Sequence, residues 1–155
     1  MRFFEDIKLN NLERFGNKLV TREEVIDFAS KYDPQPFHLD DDAAATTHFG
    51  RLSASGMHTH CMVSRMVVDN FKSGEGLAGL GSPGIDGLRW IKPVYPGDVL
   101  TCESEVIEKR RSATRPEMGI IKTRTCVFNQ NGEKVMSVDA VGLVAVRDPS
   151  ATSDN

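Results

Sequence analysis

The sequence predicts an α+β domain in which a curved antiparallel sheet wraps around one long central helix. Three features carry that expectation. A capping box at Thr21 opens an amphipathic helix, a run beginning at Gly56 is apolar on more than one face, and the chain from Leu88 onward alternates with the period of strands. Helices therefore come early and at least four strands come late.

Thr21-Arg22-Glu23-Glu24 has the S/T-x-x-E form, in which the outer two side chains each satisfy a free backbone N–H of the opening turn. Val25, Phe28, Ala29 and Tyr32 then fall on one apolar face. The helix must stop before Pro34, because the residue ahead of a proline is pushed toward extended geometry. Pro34 and Pro36 make residues 33–37 stiff and non-helical. A second short helix is expected over residues 41–47. The central helix follows over about residues 56–71, and its middle, from Cys61 to Val68, is apolar on several sides, as in a helix buried by more than one neighbour.

Glycines at 74, 76, 79, 81, 84 and 87, with Pro83 among them, mark loops or bent strand edges. Residues 88–94 read as a strand closed by Tyr95-Pro96-Gly97-Asp98, where proline and glycine suit the two central positions of a type II turn. Thr101, Glu103 and Glu105 alternate with Cys102, Ser104 and Val106. Lys122 and Arg124 alternate with Ile121, Thr123 and Thr125, so each strand has a wet and a dry face. Asn131-Gly132 signals a hairpin into a nearly apolar last strand over residues 134–146. One domain is expected over residues 1–147, followed by a frayed polar tail over 148–155.

Bulk properties bound the function. A chain of 155 residues holds one domain with a real core, not two. Its 39% hydrophobic and 26% charged residues are ordinary for a globular protein. The net charge is −3 and the longest basic run is Lys109-Arg110-Arg111, which argues against nucleic acid as a partner. No segment approaches the roughly 20 apolar residues of a membrane span. Acidic Glu5 and Asp6 follow the start at once, with no apolar stretch of signal-peptide length, so cytoplasmic residence is the expectation. Cys61, Cys102 and Cys126 are odd in number and widely spaced, suggesting neither a disulfide framework nor a zinc ribbon. His58 and His60 stand two apart on a helix and point about 200° away from each other, so no metal site is expected there.

The chemically informative segment is Tyr32-Asp33-Pro34-Gln35-Pro36-Phe37-His38. It sets a carboxylate and an imidazole five residues apart on a proline-stiffened loop, a good carrier for two groups that must converge on one point. Together they can hold and activate a water, one accepting a proton and the other giving one. Ser53-Ala54-Ser55-Gly56-Met57 then opens the central helix. A helix N-terminus offers free N–H groups and positive dipole, and glycine lets a ligand approach the backbone. A thioester carbonyl turning into an enolate would be stabilised there.

These residues, in this order, resemble the MaoC-like, (R)-specific enoyl-CoA hydratases. The matching positions are Asp33, His38-Leu39-Asp40, the Ala43-Ala44-Ala45-Thr46-Thr47 turn, Phe49 and Gly56-Met57, with Lys92-Pro93-Val94 and Gly97-Asp98 further on. The resemblance spans about residues 20–146. It implies a hot-dog fold, a homodimer or higher homo-oligomer with the site near its interface, and an acyl-CoA substrate, with no bound cofactor. It implies Asp33 and His38 as the water-handling pair, the Gly56 amide as donor to the thioester oxygen, and Ser64 near the pair. The family's histidine before Gly-Met is Ser55 here, so the polar network around the pair must differ. His58 and His60 replace residues that are commonly apolar.

Plainer readings compete. Asp33 reads alternatively as a turn cap and Gly56 as a packing glycine. For function, the leading expectation is reversible hydration of 2-enoyl-CoA to 3-hydroxyacyl-CoA. Thioester hydrolysis would need a carboxylate on or beside the central helix, where Asp69 at its end is the only acid. A non-catalytic acyl-thioester-binding module is the third reading; Ser55 favours it and the intact Asp33 and His38 oppose it.

Overall fold

The computed structural model describes residues 1–73 and 76–150. Gly74, in the glycine-rich stretch, and positions 151–155 of the polar tail lie outside the described residues. The strands are β1 (Glu13–Leu19), β2 (Gly79–Trp90), β3 (Val99–Arg111), β4 (Met118–Phe128) and β5 (Lys134–Ala145). They form one antiparallel sheet in the order β1-β3-β4-β5-β2. The helices are α1 (Arg22–Tyr32), α2 (Asp41–Ala45) and α3 (Gly56–Ser73), with single 3₁₀ turns at Phe4–Asp6 and Pro36–His38. Among the described residues no helix is long and apolar enough to cross a membrane.

Helix α1 begins as its capping box dictates. The Glu24 N–H donates to Thr21 Oγ1 at 3.2 Å and the Thr21 N–H to Glu24 Oε2 at 3.3 Å. Val25 and Ala29 are fully buried, and burying Val25 contributes roughly 1.5–3 kcal/mol. Tyr32, expected on the same face, is instead 73% exposed. The stretch expected to be non-helical tightens into a 3₁₀ turn at its end, with Pro36 at its first position, where a missing N–H costs nothing.

Helix α3 buries a stripe of His58, Thr59, Met62, Val63 and Met66 against the sheet and α1, while Met57 and Val68 stay exposed in the single chain. Its start is pinned from outside. The Ala54 N–H donates to the Val94 carbonyl at 2.8 Å, just ahead of the 95–98 turn. That turn closes with the Asp98 N–H on the Tyr95 carbonyl at 3.0 Å, and Gly97 has φ +95, the left-handed value a type II turn requires at its third position. Asp98 Oδ2 takes the Tyr95 N–H at 2.8 Å, and the Tyr95 hydroxyl reaches the Phe49 carbonyl at 2.9 Å. The turn thus braces the loop that leads into α3.

Two strands differ from the sequence expectation. β1 was not foreseen, because a register shift between Phe15 and Lys18 breaks its alternation. β2 extends back through the glycines to Gly79 and ends at Trp90, inside the 88–94 stretch expected. It pairs with β5 through three register shifts and is exposed along almost its whole length. Among the described residues its outer edge has no strand beside it.

Candidate active site

Asp33 follows the last residue of α1, and its N–H still donates to the Ala29 carbonyl at 2.9 Å. His38 closes the 3₁₀ turn five residues on and is buried. Its Nδ1 lies 2.7 Å from the Ser53 carbonyl. A carbonyl only accepts, so Nδ1 carries a proton, and the neutral tautomer this selects has its lone pair on Nε2. That Nε2 faces Asp33 Oδ2 at 3.6 Å. The gap is too long for a direct hydrogen bond and short enough for both atoms to hold the same small molecule.

Asp33 has two further partners. The Ser55 hydroxyl donates to Oδ2 at 2.7 Å and the Gln35 amide to Oδ1 at 2.8 Å. The Ser55 bond does most to hold the Asp33 carboxyl below its ordinary value; Gln35 and the nearby His38 add to it, and partial burial opposes it. Asp33 is therefore a carboxylate at neutral pH.

Ser55 is itself buried. Its carbonyl accepts the first bond of α3, from the Thr59 N–H at 3.0 Å. The N–H groups of Gly56, Met57 and His58 thus belong to the opening turn, which has no intrahelical acceptors for them. Trp90, at the end of β2, lies over Gly56: its Nε1–H donates to the Gly56 carbonyl at 2.8 Å. A Cβ at position 56 would come within 2.5 Å of the indole ring, so only glycine admits this packing. The packing reading and the donor reading of Gly56 are compatible, since one uses the Cα and carbonyl and the other the N–H.

The structure gathers Asp33, His38, Ser55 and the Gly56 helix start. Ser64 stands apart: two turns along α3, it is exposed and bonds to neither Asp33 nor His38 in the single chain. Three contributors were not foreseen as such. Ser53 acts through its backbone carbonyl, which residue type does not reveal. Gln35 lay within the quoted loop. Trp90 is the chain's one tryptophan, a signal that was available. A groove of about 700 Å³ between β1 and α3 includes Lys18, Glu24, His58 and Met66 but neither Asp33 nor His38. We place the site by its convergent polar groups rather than by groove size. His58 stacks on Phe28 with ring centroids 4.8 Å apart, and the buried Nδ1 atoms of His58 and His60 have no hydrogen-bond partner. Lys109 is engaged elsewhere, donating to the Ile7 carbonyl at 2.7 Å.

A five-stranded antiparallel sheet packed on a helix, with an aspartate and a histidine facing each other beside the helix N-terminus, defines a hot-dog domain of the dehydratase type. Residues 11–126 match the family described as MaoC like domain, and the chain belongs to that family. The crystal structure of a MaoC-like dehydratase from Rhodospirillum rubrum superposes with a TM-score of 0.87 at 36% identity, covering 96% of this chain and 99% of that one. The (R)-specific enoyl-CoA hydratase of Aeromonas caviae is 34% identical over 131 residues, 83% of this chain and 86% of the relative. The structure of the A. caviae (R)-hydratase gives a TM-score of 0.66, covering 89% of this chain and 97% of that one.

Proposed function

We propose that this protein is a hydratase of acyl-CoA thioesters, interconverting 2-enoyl-CoA and 3-hydroxyacyl-CoA, and that it works as a homodimer. The observation that carries the reading is the 3.6 Å approach of His38 Nε2 to Asp33 Oδ2, with the ring's tautomer set by the Ser53 carbonyl. Two acceptors so placed take both hydrogens of one water and leave its oxygen lone pair free. That oxygen attacks C3 of the enoyl group. The π electrons move onto the thioester oxygen, where the Gly56 N–H and the helix dipole stabilise the charge. The proton released from the water passes to the pair, which returns it to C2, so water adds across the double bond with nothing left over. Similarity to the A. caviae hydratase over most of both chains supports the substrate class.

The dimer reading rests on the bare edge of β2. A long unpaired edge invites pairing with another chain, and a second copy meets it with two-fold symmetry. Incubation with crotonyl-CoA tests the activity. Loss of enoyl absorbance without free thiol is the expected result. Release of free thiol would assign hydrolysis instead, and an unchanged spectrum across a series of chain lengths would leave only a binding role.

A further inference from the structure

Trp90 does more than cover Gly56. Its indole N–H is already committed to the Gly56 carbonyl, so what the ring still offers is apolar, and the residue is 52% exposed in the single chain. Two other exposed apolar side chains are covalent neighbours of site residues. Met57 follows Gly56 and is 48% exposed, and Tyr32 precedes Asp33 and is 73% exposed. Large apolar groups exposed singly need no explanation, but Trp90 differs from these two in that its ring lies on the helix start itself. Trp90 is the one held rigidly: its backbone pairs with the fully buried Met136, and its ring is clamped to the start of α3.

We propose that the exposed face of Trp90 is the wall against which the acyl group of the thioester lies, making it a specificity-determining contact for the reaction at Asp33 and His38. The inference rests on the acyl-thioester reading above. A substrate whose carbonyl sits at the Gly56 N–H and whose C3 sits at the acid–base pair must lead the rest of its acyl chain away over nearby surface. The indole touches Gly56 and offers carbon rather than charge. The anionic nucleotide arm of CoA fits this surface poorly, since the neighbouring Arg89 turns its guanidinium back onto the Leu88 carbonyl at 2.8 Å.

Trp90 is the only tryptophan, so intrinsic fluorescence reports this site alone. The test titrates the full-length protein with hexanoyl-CoA, which is saturated and cannot be hydrated, and in parallel with CoA. Calorimetry follows binding independently. Saturable quenching by hexanoyl-CoA, with CoA leaving the emission unchanged, is expected. Equal responses to both would put the nucleotide arm on the indole and overturn the assignment. Calorimetric binding of hexanoyl-CoA without a change in emission would overturn it too, while leaving the substrate reading intact. Quenching by hexanoyl-CoA in a protein that hydrates no enoyl thioester would support the contact and sink the hydration reading alone. As a second readout, Trp90→Ala should raise KM for an enoyl-CoA about ten-fold, as for loss of one aromatic contact. Trp90→Phe, which keeps an apolar wall, should raise it less.

Discussion

Ser55 Oγ donates to Asp33 Oδ2 at 2.7 Å, joining the residue that precedes α3 to the residue that follows α1. The bond spans 22 positions in sequence and ties Asp33 to the backbone that carries the proposed oxyanion donor. Serine here also lowers the Asp33 pKa, because a hydroxyl donating to a carboxylate favours its ionised form.

Removing that donor should therefore raise the Asp33 pKa. Ser55→Ala is expected to move the acidic limb of the kcat/KM profile to higher pH, because a carboxylate less well stabilised protonates earlier as pH falls. Gln35→Ala removes the second, more exposed donor and should move the limb in the same direction by less. Profiles of both variants measured beside the parent decide the matter. An unmoved limb in Ser55→Ala means that Asp33 is not the group titrating there.

Asp33→Asn and His38→Ala should each lower kcat by about 10²–10⁴, the range of a lost proton-transfer group. The double variant should lose little more than the worse single one, since both side chains act on one water. Circular dichroism establishes that each variant is folded. A folded Asp33→Asn protein with near-parental hydration activity would falsify the assignment.

Much of this site was legible because single residues dictate single geometries. Thr21 and Glu24 announce the start of α1, Pro96-Gly97 announces its turn, and the Asp33-to-His38 spacing survives as a convergent pair. What was hidden depended on pairing between distant segments. β1 is short and bulged, so its apolar residues do not alternate. β2 is an edge strand of glycines, with no dry face to leave a pattern. Trp90 meets Gly56 across 34 positions, a contact that follows only once β2 lies beside β5.

His58 should make the protein acid-sensitive well above the carboxylate range. Burial, the largest influence, pushes its pKa below the ordinary 6.5; Glu24 on α1 opposes this and Lys18 on β1 reinforces it. His60 is lowered by burial as well. With the folded pKa below the unfolded one, the unfolded chain binds protons more readily. The stabilising contribution is thus complete above about 6.5 and is lost as pH falls below it. Thermal unfolding should show Tm falling between about pH 7 and pH 5.5, before the carboxylates titrate. His58→Phe, which keeps a ring against Phe28, should flatten that fall. An identical fall in the variant would assign the sensitivity elsewhere.

The bare edge of β2 predicts how the proposed dimer can be broken. Ile85, near the middle of that strand, is 43% exposed in the single chain. Lysine on an edge strand discourages a second strand from pairing. Ile85→Lys is expected to shift sedimentation toward the 17.1 kDa monomer at concentrations where the parent is dimeric. A parent that sediments only as a monomer at micromolar concentration removes the dimer from the proposal.

Gly56→Ala separates the two uses of that residue. The added methyl meets the Trp90 ring at 2.5 Å, and the ring is held by its own bond to the Gly56 carbonyl, so the indole must swing away or α3 must shift. Overpacking of this kind typically costs about 1–3 kcal/mol. The N–H is kept by the substitution, so a glycine needed for its donor alone would tolerate alanine. The expected outcome is a lower Tm together with tryptophan emission shifted toward that of a solvated indole. Trp90→Ala in the same background should then relieve the clash, making the two substitutions less damaging together than their separate effects sum to. Strict additivity would mean that the indole does not rest on Gly56.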